Sequence, residues 1–225
     1  MNGEKTMSIL TRLHSDFVIS VQMDPPTPKD HPCLLQRVDE CWVHGAGAVD
    51  INTSKLVPSA DSLVMAQLLL SSSHPIGEVI PHVAVRDNGV TGLVNRVYGL
   101  YRYAGLRSIL VIKGDAYKDG QGTGCDDDCG LTSVKVIRVL NRELKLSGAC
   151  PHLVIGAAFN QNNDCEKEWR KAILKKRAGA RFFMSQPVFS RAQLRDLAAR
   201  FNSLGTLMVG LFPLPYQKVF RLVQS

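Results

Sequence analysis

The sequence predicts an α/β fold in which a strand followed by a helix repeats along the chain, as in a barrel or a doubly wound sheet. Three observations carry that expectation. Short apolar runs rich in β-branched residues recur at Phe17–Val21, Ala48–Ile51, Val79–Val85, Ser108–Ile112, Leu153–Ala158, Arg181–Met184 and Thr206–Leu211, and such runs are what strands buried on both faces of a parallel sheet require. Between them lie segments of helical periodicity, such as Leu34, Leu35, Val38, Cys41 and Trp42, or Leu93, Val97, Leu100 and Tyr101. These connections are long enough for right-handed crossovers. Strand starts recur about every thirty residues, with one longer interval after the fourth, a spacing that fits either architecture.

Glycines mark the helix ends. His44-Gly45-Ala46-Gly47, Tyr103-Ala104-Gly105 and Arg177-Ala178-Gly179 each stand just ahead of a strand, where a left-handed residue would cap the helix. Polar residues follow the strands: Gln22 and Asp24, Asn52 and Thr53, Arg86 and Asp87, Lys113 and Asp115, Asn160, Ser185 and Gln186. In a barrel these positions meet at one rim, the face where such folds carry their chemistry. The count of seven strands leaves the chain one strand-helix unit short of a closed eight-fold barrel. The expectation is that either a C-terminal segment is missing, or the N-terminal arm or a neighbouring chain covers the exposed edges.

Composition narrows the function. At 225 residues and 45% hydrophobic content, one barrel domain over 1–225 is expected. The net charge of +7 is scattered. The densest run, Arg170, Lys171, Lys175, Lys176 and Arg177, falls at helical spacing among Ala172, Ile173 and Leu174 and reads as a solvated helix face, not a nucleic-acid surface. The six cysteines form no C-x-x-C pair, so no metal site is expected; Cys125 and Cys129 flank three aspartates in a glycine-rich stretch that reads as a solvated turn. Gly120-Gln121-Gly122-Thr123-Gly124 follows no strand directly and reads as a loop, not a nucleotide fingerprint. Neither a signal peptide nor a membrane span is legible, and a cytoplasmic location is expected.

The motifs, taken in order, resemble one family. Val21-Gln22-Met23-Asp24-Pro25-Pro26, Pro81-His82-Val83-Ala84-Val85-Arg86-Asp87, Lys113-Gly114-Asp115, Ile155-Gly156-Ala157-Ala158-Phe159-Asn160 and Ser185-Gln186-Pro187-Val188-Phe189 are similar to the barrel signatures of methylenetetrahydrofolate reductases. The likeness is nearest to the reductase domain fused to homocysteine methyltransferases, and it covers about residues 8 to 222. It implies a TIM-type (β/α)8 barrel lacking its last βα unit. It also implies a flavin adenine dinucleotide (FAD) across the C-terminal rim, NADH or NADPH as hydride donor, and reduction of 5,10-methylenetetrahydrofolate to 5-methyltetrahydrofolate on the way to methionine.

By the same resemblance Asp115 matches an aspartate beside the flavin and the pterin, and Gln186 a glutamine whose amide pairs with the pterin ring. Thr53, His82, Lys113, Ala157 and Phe159 match residues lining the flavin, with Phe159 where some members have tyrosine; Lys175 matches one reaching its phosphate or ribose. Read without the family, Asp115 is a helix cap, Gln186 a turn residue and His82 a core histidine.

One departure bears on mechanism. Where the family has a glutamate thought to act as general acid, this chain has Gln22. Opening the methylene bridge requires a proton on the departing nitrogen, which a carboxylic acid supplies and an amide does not. Asp24, two residues on and on the same face of a strand, is the nearest substitute, although it reads more naturally as structural. The sequence therefore supports a reductase in which Asp24, water or substrate gives the proton. The alternatives are a catalytically impaired flavin- or folate-binding relative serving as a partner or regulatory subunit, and a different TIM-barrel enzyme acting on another one-carbon carrier, against which the matches at Asp115 and Gln186 speak.

Overall fold

The computed structural model describes residues 17–27, 34–53, 59–72, 77–114 and 131–212. Seven parallel strands form one sheet in sequence order: β1 (Ser20–Met23), β2 (Ala48–Ile51), β3 (Glu78–Ala84), β4 (Ser108–Ile112), β5 (Val154–Phe159), β6 (Phe182–Pro187) and β7 (Thr206–Gly210). Helices α1 (Leu34–Val43), α2 (Ser62–Leu70), α3 (Val90–Gly99), α4 (Ser133–Leu140), α5 (Cys165–Ala178) and α6 (Arg191–Phe201) fill the connections. Each neighbouring pair of strands is parallel and in unbroken sequence order, the arrangement of a curled, TIM-type sheet. Among the described residues β1 and β7 each have one strand partner. Asp115, the glycine-rich loop at 120–124, Cys125 and Cys129 lie outside the described residues.

Local chemistry explains the helix boundaries. Asp61 caps α2 by accepting from the backbone N–H groups of Leu63 and Val64; Thr132, Asp164 and Ser190 do the same for α4, α5 and α6. Helix α5 also carries Glu166 and Glu168 in its first turn and Lys175, Lys176 and Arg177 in its last, which complements the helix dipole. The expected glycine punctuation is present, with positive φ at Gly45, Gly105 and Gly179.

The β1 boundary differs from expectation by three residues. Residues ahead of Ser20 precede the first register partner on β2, since Ser20 pairs with Ala48, and Phe17 and Ile19 are exposed. The basic face of α5 also differs: Arg170, Lys171, Lys176 and Arg177 are exposed, but Lys175 is buried.

Alternate residues of each strand face opposite sides of the sheet, and both sides are packed. One side meets the helices. Val83, Ile109, Val111, Ile155, Ala157, Phe159 and Phe183 join Leu93, Val97, Val136, Ile137, Leu140, Ala172, Leu197 and Phe201 in the largest apolar cluster. The other side is the barrel interior, where Ala48, Ile80, Leu110, Val154 and Phe182 form a separate buried cluster flanked by Ile112, Met184 and Met208. Gly156 makes room for it: a Cβ there would lie 2.2 Å from the Phe182 ring. No helix among the described residues is long and apolar enough to cross a membrane.

Candidate functional site

The interior is chemically two-sided. Around β4 to β7 it is apolar, as just described. Around β1 to β3 several inward positions are polar, and Ser20, Asp50, His82, Asn52 and Asp24 form a line of contacts rising from the buried interior to the mouth at the C-terminal ends of the strands. Ser20 Oγ donates to Asp50 Oδ2 at 2.7 Å. Asp50 Oδ1 lies 3.2 Å from His82 Nε2, near enough for charge attraction but not aligned as a full hydrogen bond. The other ring nitrogen, Nδ1, lies 3.4 Å from Asn52 Oδ1, which also accepts the Thr53 N–H at 2.9 Å. Asn52 Nδ2 then donates to Asp24 Oδ1 at 2.9 Å. Because Asn52 Oδ1 receives a backbone N–H, its amide orientation is fixed by the network.

Burial grades along this line. Asp50 and His82 are almost fully buried, Asn52 stands at the buried limit, and Asp24 is exposed. The backbone under His82 is also held, since Ser62 Oγ in the first turn of α2 donates to the His82 carbonyl at 2.5 Å. Deeper in the barrel Ser108 Oγ donates to Glu78 Oε1, a second buried polar contact between β3 and β4. Burying a carboxylate is costly without such partners.

At the mouth the apolar half ends in a cross-strand row. Ala84 pairs with Ile112, and Ala158 with Met184, which pairs in turn with Met208; all but Ala84 are only partly buried. Polar side chains rim this floor. Gln22, Asp24, Lys113 and Gln186 are exposed and Thr53 is half-buried. The Gln186 backbone is clamped by Gln161, whose amide donates to the Gln186 carbonyl at 2.7 Å and accepts its N–H at 3.0 Å, and the Gln186 side chain is exposed. An apolar floor with a few polar groups around it suits a flat ring system with heteroatoms on its edges.

The expected site residues therefore divide. Gln22, Asp24, Thr53, Lys113 and Gln186 lie at or just past the C-terminal ends of β1, β2, β4 and β6, the end that forms the mouth. Four others do not present their side chains to it. His82 is a core histidine, 4% exposed, with Nε2 facing Asp50 and Nδ1 facing Asn52. Ala157 and Phe159 point to the helix side, where Phe159 packs edge-on against Phe201 at 5.0 Å between ring centroids and is 1% exposed. That geometry leaves its ring no surface to stack on a ligand. Lys175 Nζ donates to the Ala158 carbonyl at 2.7 Å beneath the strands, beside the Glu168–Lys171 ion pair, and burial lowers its pKa. Its ammonium is engaged with the barrel wall.

As a fit test for a flavin, the partly buried Ile112, Ala158, Met184 and Met208 would suit a flat ring, and Thr53 and Lys113 are polar residues just past the ends of β2 and β4. The side chains of Phe159 and Lys175 lie on the helix side of the sheet and add nothing to that floor. Sequence reasoning missed Asp50, Ser20 and the linking role of Asn52. A signal was present, since an aspartate within the otherwise apolar strand Ala48-Val49-Asp50-Ile51 has to be paired if it is buried. Among the described residues no group of three or more His, Cys, Asp or Glu side chains is arranged to hold a metal ion.

No protein-family model matches the sequence, and no curated protein matches it. Solved structures do match the fold. Oxaloacetate acetylhydrolase in complex with 3,3-difluorooxalacetate superposes with a TM-score of 0.64 at 12% identity, over 91% of this chain and 72% of that one. A Clostridium thermocellum protein that binds two copies of 5-methyl-5,6,7,8-tetrahydrofolic acid gives 0.63 at 13% identity, over 96% and 74%. 2,3-Dimethylmalate lyase, a PEP mutase/isocitrate lyase superfamily member, gives 0.60 at 13%, over 96% and 80%. Identities this low speak to architecture alone, and the architecture they share with this chain is the α/β fold of TIM-type barrels.

Proposed function

We propose that the chain binds a reduced folate at the mouth, beside a flavin, and belongs to one-carbon folate chemistry of the methylenetetrahydrofolate reductase type. The observation that carries this reading is the apolar floor faced by two exposed carboxamides, Gln22 and Gln186. A pterin edge alternates hydrogen-bond donors and acceptors, and a carboxamide offers both. The order of the five motifs supports the same reading, and so does the folate-binding neighbour of like fold. Thr53 and Lys113 are the rim residues that would hold the flavin, with Asp115 added by resemblance. When bound, the flavin supplies hydride transfer from NADH or NADPH to the methylene carbon of the folate.

The chain's own groups then set the rate. Gln22 can orient the folate but cannot release a proton to it, and the loss of a general acid typically slows such a step by about 10²–10⁴-fold. Asp24 is held as an acceptor by Asn52. This favours a second reading, a flavin- or folate-binding relative with little turnover that acts as a partner or regulatory subunit.

Absorption spectroscopy tests both. Purified protein should be yellow, be bleached by a reduced nicotinamide, and regain colour with methylenetetrahydrofolate, faster in Gln22→Glu by about 10²-fold or more. Bleaching without recovery in either protein would reject the reductase reading and leave the binding one. Colourless protein with no calorimetric signal for 5-methyltetrahydrofolate would remove both.

A further inference from the structure

The polar line inside the barrel does something an apolar core would not. At the inward positions of β4, β5 and β6 this protein uses Leu110, Val154 and Phe182. At the equivalent depth between β1 and β3 it buries a carboxylate, Asp50, although a well-packed apolar group of similar volume is often at least as stabilising as a buried ionic contact. The contacts of Asp50 all lead one way. Ser20 fixes one oxygen, His82 faces the other, His82 faces Asn52, and Asn52 donates to Asp24 at the mouth. Ser20, Asp50 and His82 sit on β1, β2 and β3, Asp24 and Asn52 one residue past the ends of β1 and β2, and the His82 backbone is anchored by Ser62 of α2.

We propose that Asp50 is a positioning residue for the ligand mouth: through His82 and Asn52 it sets the orientation of the Asp24 carboxylate, and with it the polar edge of the site. It touches no ligand itself, being 3% exposed. The Asn52 amide is the coupling element. Its Oδ1 gathers the Thr53 N–H and faces the His82 ring, so its Nδ2 has one direction left, toward Asp24. Releasing the ring from Asp50 frees the amide to turn and Asp24 to leave its place. The binding arm of this proposal rests on the folate reading given above; its structural arm does not.

The structural arm is read by NMR on the ligand-free chain, comparing wild type with Asp50→Asn and, as a second break in the same line, His82→Gln. Asp50→Asn should move the His82 imidazole ¹⁵N resonances, and either variant should move the Asn52 side-chain amide and the Asp24 carboxyl resonances. A folded variant of either kind with the Asn52 and Asp24 signals unmoved would overturn the proposal.

The binding arm is calorimetric titration with 5-methyltetrahydrofolate at a temperature where every variant is folded. Asp24→Asn should weaken binding roughly tenfold, Asp50→Asn should weaken it in the same direction, and the double variant should be no weaker than Asp24→Asn alone. Additive losses, or an Asp24→Asn variant of wild-type affinity, would show that Asp50 only supports the fold. A wild-type chain that binds no reduced folate would defeat the folate reading, and the NMR comparison would still decide whether Asp50 governs Asp24.

Discussion

Gly156 sits where the barrel interior has the least room, and replacing it with alanine tests the packing on which the fold depends. Gly156 is the register partner of Phe182, and an added Cβ would lie 2.2 Å from ring atom Cζ and 2.5 Å from Cε1 and Cε2. Ordinary carbon contacts are about 3.5–4.0 Å, so the ring would have to withdraw by more than about 1 Å. It has nowhere to go, because Phe182 is fully buried among Ala48, Ile80, Leu110 and Val154. Overpacking of this kind costs typically about 1–3 kcal/mol, and the depth of the clash puts Gly156→Ala at the upper end. Alanine recovers up to about 1 kcal/mol by restricting the unfolded chain. The net loss of about 2 kcal/mol corresponds to a fall in Tm of roughly 4–8 °C for a chain of this size. Thermal and urea unfolding followed by circular dichroism would measure it. The double variant Gly156→Ala, Phe182→Leu should be more stable than the two single losses summed, because the smaller side chain accepts the methyl group. A Gly156→Ala protein with wild-type Tm, or additive losses in the double variant, would refute the claim that the Phe182 ring lies over Gly156.

Other consequences follow from the helix side. Phe201→Ala removes a buried ring that Phe159, Trp169 and Phe183 approach at 5.0 to 5.5 Å, and should cost about 3–5 kcal/mol in urea unfolding; a loss below 1 kcal/mol would show that α6 is not docked on β5 and β6. Lys175→Met removes a buried ammonium and should leave the chain as stable at pH 7 or more stable by about 1 kcal/mol. Burial lowers the Lys175 pKa below its ordinary 10.5, so between the folded and unfolded values the unfolded chain binds more protons and stability rises with pH. The advantage of Lys175→Met should therefore shrink as the pH is raised toward 10.5, and an advantage constant across that range would contradict the burial. If Lys175 instead reached a cofactor phosphate, the same substitution would strip the flavin, which the visible spectrum of the purified variant reports.

The strands and helices were legible in the sequence because their signals are local. A short β-branched run, a helical stripe such as Leu93, Val97 and Leu100, and a glycine ahead of the next strand each declare themselves within a few residues. All seven strands stand where those runs lie, and the three-residue shift at the start of β1 arises because a strand begins where its neighbour does. The placement of Gln22, Asp24, Thr53, Lys113 and Gln186 at the C-terminal ends of parallel strands was legible for a related reason, since those strand ends lie along one rim.

Which way each side chain faces was not legible. A strand packed on both sides has no polar–apolar alternation to give its phase, so Ala157 and Phe159 read like mouth residues although their alternation places them on the helix side of the sheet. Lys175 reads like a solvated lysine because its helix is basic on several sides, and only the docking of α5 on β5 shows that its ammonium lies under the Ala158 carbonyl. Asp50 lies inside an apolar run, and its partners Ser20 and His82 are thirty and thirty-two residues away along the chain. Sequence alone determined the elements, their order and the chemistry of the rim. The tertiary structure decided the facing of each strand and the wiring of the buried charges, because those depend on which distant strands become neighbours.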